Sequence, residues 1–289
     1  MRCITMLMTI GNRTPIFLLL LLATLTVAVQ ITQSQEPSVT NTPLTVPKPT
    51  VSSASTILPI AEARPSTLPD FTHYSDVQTK KQEFFNYMLP MVRHANNRIL
   101  NDRSLLLAIR NDLRSGVTIN PDAVQFVGEL ARVYRVKSRE HLPSIVDVLL
   151  IRVDVVPESL VLAQSANESG WGTSRFAREA NNLFGVWCFT RGCGVTPLSR
   201  DDGLTHEVAR YDCVQDSVNA YIHTINTNGA YLGLRQIRAT SRDGEQYISG
   251  LALAEGLKKY SSRGIDYVRE IQQLIRVNNL QRFNLPVAA

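Results

Sequence analysis

Residues 157–172 constrain the fold of this chain more tightly than any other stretch, because they specify a helix at both ends and leave one carboxylate where it stops. Pro157 and Glu158 suit a first helical turn. Leu160, Val161, Ala163, Gln164 and Asn167 carry the pattern to Glu168, and Gly170 and Gly172 break it. A carboxylate in the last turn sits near the negative end of the peptide dipoles, which disfavours its ionisation. Cover from Trp171 would push the same way by desolvation. The two effects favour a neutral acid able to protonate a leaving group. Spacing alone leaves an ordinary solvent-facing Glu at a helix end as the rival reading.

The rest of the chain divides by composition. Residues 1–35 read as a targeting segment: Arg2 and Arg13 precede 16–29, a run without charge dominated by Leu, Ala and Val. Its length approaches that of a membrane span, so a cleaved signal peptide and a retained anchor to the inner membrane are both open. Residues 36–70, rich in Pro, Ser, Thr and Val, bury too little apolar surface to offset their ordering entropy and read as a disordered linker. Residues 71–289 are left for folding, enough for one sizeable core or two small lobes. The net charge of +5 loses two without Arg2 and Arg13, a balance that argues against a nucleic-acid partner.

Within 71–289 the periodicity predicts a mainly α domain of the α+β class. Helices are expected over 77–89, with Pro90 opening a second over 91–111, then over 121–134, 143–153, 157–168 and 174–180. A strand is expected at 205–208, and further helices at 218–225, 247–258 and 265–277. The stripe of Phe84, Phe85, Tyr87, Met88 and Met91 reads first as core. Arg93, Arg98, Arg103 and Arg110 read as solvated helix surface. After the acid corner, Asn181 and Asn182 form a turn whose amides either satisfy backbone or face a ligand. Phe184, Trp187 and Phe189 are either core or a saccharide platform.

Ala-Asn-Glu-Ser-Gly-Trp-Gly (166–172) followed by Asn-Asn-Leu-Phe-Gly (181–185) resembles the glucosaminidase family of peptidoglycan hydrolases, glycoside hydrolase family 73, in its Bax-like bacterial branch. The likeness runs over about 71–280 and includes Trp187-Cys-Phe-Thr-Arg-Gly-Cys-Gly. It implies a lysozyme-like helical domain with a small β-rich lobe at about 186–212. It implies an exported, periplasmic enzyme acting on the peptidoglycan glycan strand, with Glu168 as general acid in an endo-β-N-acetylglucosaminidase reaction and no cofactor. Glu207 matches the second carboxylate, with Asp202 in reserve, and Tyr267 matches the active-site tyrosine. Trp171, Asn181, Asn182, Phe184, Tyr211 and Tyr260 are the implied substrate contacts. A lysozyme or lytic transglycosylase, or a non-catalytic glycan-binding envelope protein, are the alternatives.

In an oxidising compartment Cys188 and Cys193 could close a short loop, or either could pair with Cys213. A metal built from these cysteines and His206 is not expected, given the exacting geometry of zinc.

Overall fold

The computed structural model describes residues 67–137, 141–198, 203, 205–242 and 247–286, all within one compact unit, Pro59–Ala289. The targeting segment, nearly all of the linker and Asp202 lie outside the described residues. No helix among the described residues is long and apolar enough to cross a membrane.

The chain enters through a 3₁₀ turn, Phe71–His73, and then α1, Val77–Arg114, whose N-cap Asp76 accepts from the Thr79 amide at 2.6 Å. Two helices were expected here, divided at Pro90; one helix is found, with Pro90 inside it. An internal proline costs about 3 kcal/mol. Phe84, Phe85 and Met88 before it and Met91, Val92 and Ala95 after it are all buried in one core. At about 1.5–3 kcal/mol for each of the large side chains, a single straight face outweighs the break.

α2, Pro121–Val133, and α3, Leu142–Arg152, pack on the second half of α1 around Leu106, Val146 and Leu149. α4, Glu158–Ser169, runs through the main core, with every residue from Glu158 to Ala166 buried. α5, Arg175–Ala180, is capped by the Ser174 side chain. α6 spans Val214–Thr227, beginning earlier than the expected 218–225. α7, Leu232–Arg242, has no counterpart in the sequence reading. The expected helix 247–258 is instead a short α8, Gly250–Ala254, continued by a 3₁₀ turn, Glu255–Leu257. α9, Ile265–Val277, closes the body over α4 as expected.

The reading of Arg103 as solvated surface is corrected by the same packing that produced α7. Asp154, 2% exposed, is the centre of a hub formed by Arg103 of α1 and Arg238 and Arg242 of α7. Burial opposes ionisation of Asp154, but the guanidiniums of Arg238, Arg242 and Arg103 outweigh it and hold the carboxyl below its usual value. Arg238, fully buried, also donates to the carbonyls of Ile151, Asp154 and Val155. A helix this rich in arginine looks solvated until its acidic partner is known.

Between α5 and α6 lies a three-stranded antiparallel sheet, β1 (Trp187–Cys188), β2 (Gly194–Val195) and β3 (Glu207–Ala209), in the order β1-β3-β2. Trp187 pairs with Val208 and Cys188 with Glu207; Gly194 pairs with Ala209 and Val195 with Val208. The result is a mainly helical, lysozyme-like body carrying a small β lobe.

Candidate active site

Three consecutive residues end α4 in the left-handed conformation: Gly170 (φ 56°), Trp171 (φ 62°) and Gly172 (φ 77°). A tryptophan there is strained by about 1–2 kcal/mol. Its ring is secured at the edge of Phe84 and Phe85, with centroids 5.9 and 5.4 Å away, beneath the Lys81 ammonium. Gly172 admits no side chain, since a Cβ would stand 2.6 Å from the Phe71 ring. The Ser169 hydroxyl accepts from the Gly172 amide at 2.8 Å and donates to the Ser165 carbonyl, so the turn is pinned to the helix it leaves.

That turn holds Glu168 at the body's surface, half-buried. Its Oε1 accepts from the Tyr267 hydroxyl of α9 at 2.7 Å. The Tyr267 oxygen in turn accepts from Gln164 Nε2 at 2.8 Å, and Gln164 Oε1 accepts from the Tyr221 hydroxyl of α6. Gln164 and Glu168 share a helix face because four residues separate them. Oε2 lies on the side of Gly185, an exposed glycine (φ 63°) whose notional Cβ would be 4.0 Å away. Burial pushes the Glu168 carboxyl above the usual glutamate value, partly offset by hydrogen bonds from Tyr267 and the Asn167 side chain. Tyr267 is held protonated by burial and by the neighbouring carboxylate.

The other sequence candidates fall into two groups. Phe184 is buried and stacks on Tyr221 at 4.2 Å, and Tyr260 stacks parallel to Tyr267 at 5.4 Å while donating to the Phe184 carbonyl at 2.8 Å. These rings form the wall behind the Glu168 chain. Asn181 (φ 51°) donates to the Tyr211 and Asp212 carbonyls, and the Tyr211 amide donates to the Ala180 carbonyl. Asn182, 2% exposed, donates to the carbonyls of Val186 and Ala209 and accepts from the amides of Phe184 and Val186. The asparagine pair therefore fastens the lobe to the body. Burial pushes the Tyr211 phenol up to about 12.

Glu207 faces into the lobe. It is 8% exposed, and its Oε1 and Oε2 accept from the amides of Gly192 and Gly194 at 3.1 and 2.8 Å. Cys188 and Cys193 form a disulfide across the same turn, with Cα atoms 6.2 Å apart, while Cys213 is a free, buried thiol. Cys188, Cys193 and Glu207 bring one sulfur each and an oxygen within 4.8 Å, a spacing compatible with a metal. With both sulfurs in the disulfide there is no thiolate to donate. Gly194 is required by packing, since a Cβ would overlap the Val208 carbonyl. On either side of Cys188, Trp187 and Phe189 are 56% and 74% exposed, and Trp187 stacks on His206 at 4.1 Å.

Two residues of the site escaped the sequence reading. Gln164 was counted only as a helix residue, although its position one turn before Glu168 is a signal that it shares that face. Tyr221 carries no such local signal, because α6 is brought to α4 by tertiary packing. A separate cavity of about 440 Å³ between α1, α2 and α6 is lined by Arg98, Asp102, Tyr134 and His223 and contains none of the residues above.

Comparison with known proteins shows a family likeness. Residues 146–280 match the glucosaminidase family model, described as mannosyl-glycoprotein endo-beta-N-acetylglucosaminidase. The chain is 32% identical over 206 residues to Protein bax of Escherichia coli (strain K12), covering 71% of this chain and 72% of that protein. The catalytic domain of the autolysin Auto from Listeria monocytogenes aligns with a TM-score of 0.35 and 18% identity, covering 61% of this chain and 96% of that domain.

Proposed function

This chain belongs to the glucosaminidase family, glycoside hydrolase family 73, and from that premise we propose that it cleaves the glycan strand of peptidoglycan with Glu168 as general acid. The observation that carries the proposal is the division of labour on one carboxyl: Oε1 is engaged by Tyr267, while Oε2 is directed to the exposed side at Gly185. A carboxyl kept neutral by burial can hand its proton to the glycosidic oxygen. The C–O bond then breaks, its electron pair goes to the protonated oxygen, and water adds to the oxocarbenium-like carbon, losing a proton that restores the acid.

The bond we assign is the β-1,4 linkage on the reducing side of N-acetylglucosamine. Glu207 is the proposed second carboxylate, steadying positive charge from a position fixed by the amides of Gly192 and Gly194. Gly185 is two residues before Trp187, and the exposed indole is the proposed platform for a sugar ring next to the cleaved bond. We assign the site of action to the periplasm, with residues 1–35 directing export. A disulfide in the lobe fits that oxidising compartment.

Mass spectrometry of digested peptidoglycan tests the reading. New reducing ends at N-acetylglucosamine from the native protein, and none from Glu168→Gln, are expected. Reducing or 1,6-anhydro N-acetylmuramic ends would instead assign a lysozyme or lytic transglycosylase. Binding to the glycan without any product would make the protein a non-catalytic module.

A further inference from the structure

The chain of hydrogen bonds behind Glu168 has a direction, and its far end decides that direction. Tyr221 is 1% exposed, and among the described residues its hydroxyl has Gln164 as its hydrogen-bond partner. In the order found, Tyr221 donates to Gln164 Oε1, Gln164 Nε2 donates to Tyr267, and Tyr267 donates to Glu168 Oε1. Both phenol protons are used, and one of the two N–H groups of Gln164. The opposite order needs the Gln164 amide turned over, with Glu168 donating to Tyr267, Tyr267 to Gln164 and Gln164 to Tyr221. It leaves the Tyr221 proton buried without an acceptor, at a cost of about 1–3 kcal/mol. An amide, with an oxygen that only accepts and a nitrogen that only donates, transmits that asymmetry across the core.

We propose that Gln164 and Tyr221 are positioning residues that polarise this chain, so that Oε1 of Glu168 is reserved as an acceptor and the acid's own proton is held on Oε2, facing the side where substrate enters. The inference rests on Glu168 being the general acid and adds a requirement to it. A neutral Glu168 whose proton sat on Oε1 would point it at Tyr267, inside the protein, and would have nothing to give the glycosidic oxygen. Neither Gln164 nor Tyr221 touches the reacting atoms; both act through Tyr267. The Tyr221 ring stacks on Phe184, so Tyr221→Phe removes the hydroxyl and leaves the packing surface.

The test is the pH profile of kcat/KM on peptidoglycan for the whole chain, compared across Tyr267→Phe, Tyr221→Phe and Gln164→Leu, with Tyr231→Phe as a buried phenol outside the chain. Donation from Tyr267 favours the carboxylate, so its loss favours the neutral acid and moves the alkaline limb upward. The expected shifts are roughly 1 pH unit for Tyr267→Phe and roughly half a unit for Tyr221→Phe and Gln164→Leu. kcat falls and KM holds, and Tyr231→Phe leaves the limb in place. Carbon-13 NMR titration of the Glu168 carboxyl, without substrate, should give the same order. Thermal unfolding identifies any variant that fails to fold, and Tyr221→Phe and Gln164→Leu test the chain independently. A Tyr221→Phe limb and NMR titration that coincide with those of the native protein, while Glu168→Gln is inactive, overturn the polarised chain. An active Glu168→Gln overturns the acid assignment on which it rests.

Discussion

Two carboxylates, Glu168 and Glu207, are held in opposite ways. Glu168 lies in the last turn of a helix, with Oε1 held by a relay of side chains from three helices and Oε2 on the side of Gly185. Glu207 lies in a strand of three residues and is held on both oxygens by backbone amides of a turn that a disulfide closes. On the proposed reading the contrast fits the two roles: a proton donor must be able to lose its proton to something outside, whereas a group that steadies charge has to stay in place, as backbone amides on both oxygens of Glu207 would keep it.

The sharpest way to break the contrast is to neutralise each carboxylate in turn. Glu168→Gln should lower kcat by about 10²–10⁴-fold, the usual contribution of a general acid, without lowering stability at neutral pH. Glu207→Gln should lower kcat by a smaller factor, about 10- to 100-fold, and also lower Tm, because one amide of the new side chain turns an N–H toward the Gly192 or Gly194 N–H. Steady-state kinetics beside thermal unfolding separates the two. If Glu207→Gln kept full activity while Tm fell, its place would be in the lobe's architecture alone.

Replacing Cys188 and Cys193 together with Ser probes the lobe without touching the body. A bridge across so short a loop contributes about 2 kcal/mol. The loss should appear as faster hydrogen exchange at the Gly192 and Gly194 amides, with the amides of α4 unchanged. Equal loosening of α4 would show that lobe and body are one cooperative unit.

The smallest effect is the most specific to Glu168. A carboxyl whose folded pKa lies above its unfolded value contributes stability only below the unfolded value, and loses that contribution as pH rises through the folded one. Glu168 is such a group. Glu168→Gln should therefore have a higher Tm than the native protein at pH 7, and the gap should close as the pH falls below the ordinary glutamate value of 4.5. Tm measured against pH for the pair checks it.

Much of the body was legible because its signals are local. The proline and glycine punctuation around α4, the Pro121-Asp122 start of α2 and the apolar spacing of α9 all act within a turn or two of chain. What was not legible depends on partners far away in sequence. Pro90 is read as a break until Phe84, Met88, Met91 and Val92 are seen to fill one core, and α7 goes unread because its arginines acquire their place only where Asp154 gathers them. The site divides the same way. Glu168 stands out from its own motif, whereas the relay needs Tyr221 and Tyr267 from two other helices, and the inward turn of Glu207 depends on the register between β1 and β3.

The chain has two tryptophans, and the fold has given one to each region: Trp171 to the body, against Phe84 and Phe85, and Trp187 to the lobe, half in solvent on His206. The molecule thus carries two built-in fluorophores of different colour. The indole packed on Phe84 and Phe85, half-buried, is expected to emit further toward the blue and to meet an aqueous quencher such as iodide less readily. The exposed one is expected to emit toward the red and to be quenched readily. Following the two emissions through a glycan titration would report on acid corner and lobe separately, in the native protein and without a label.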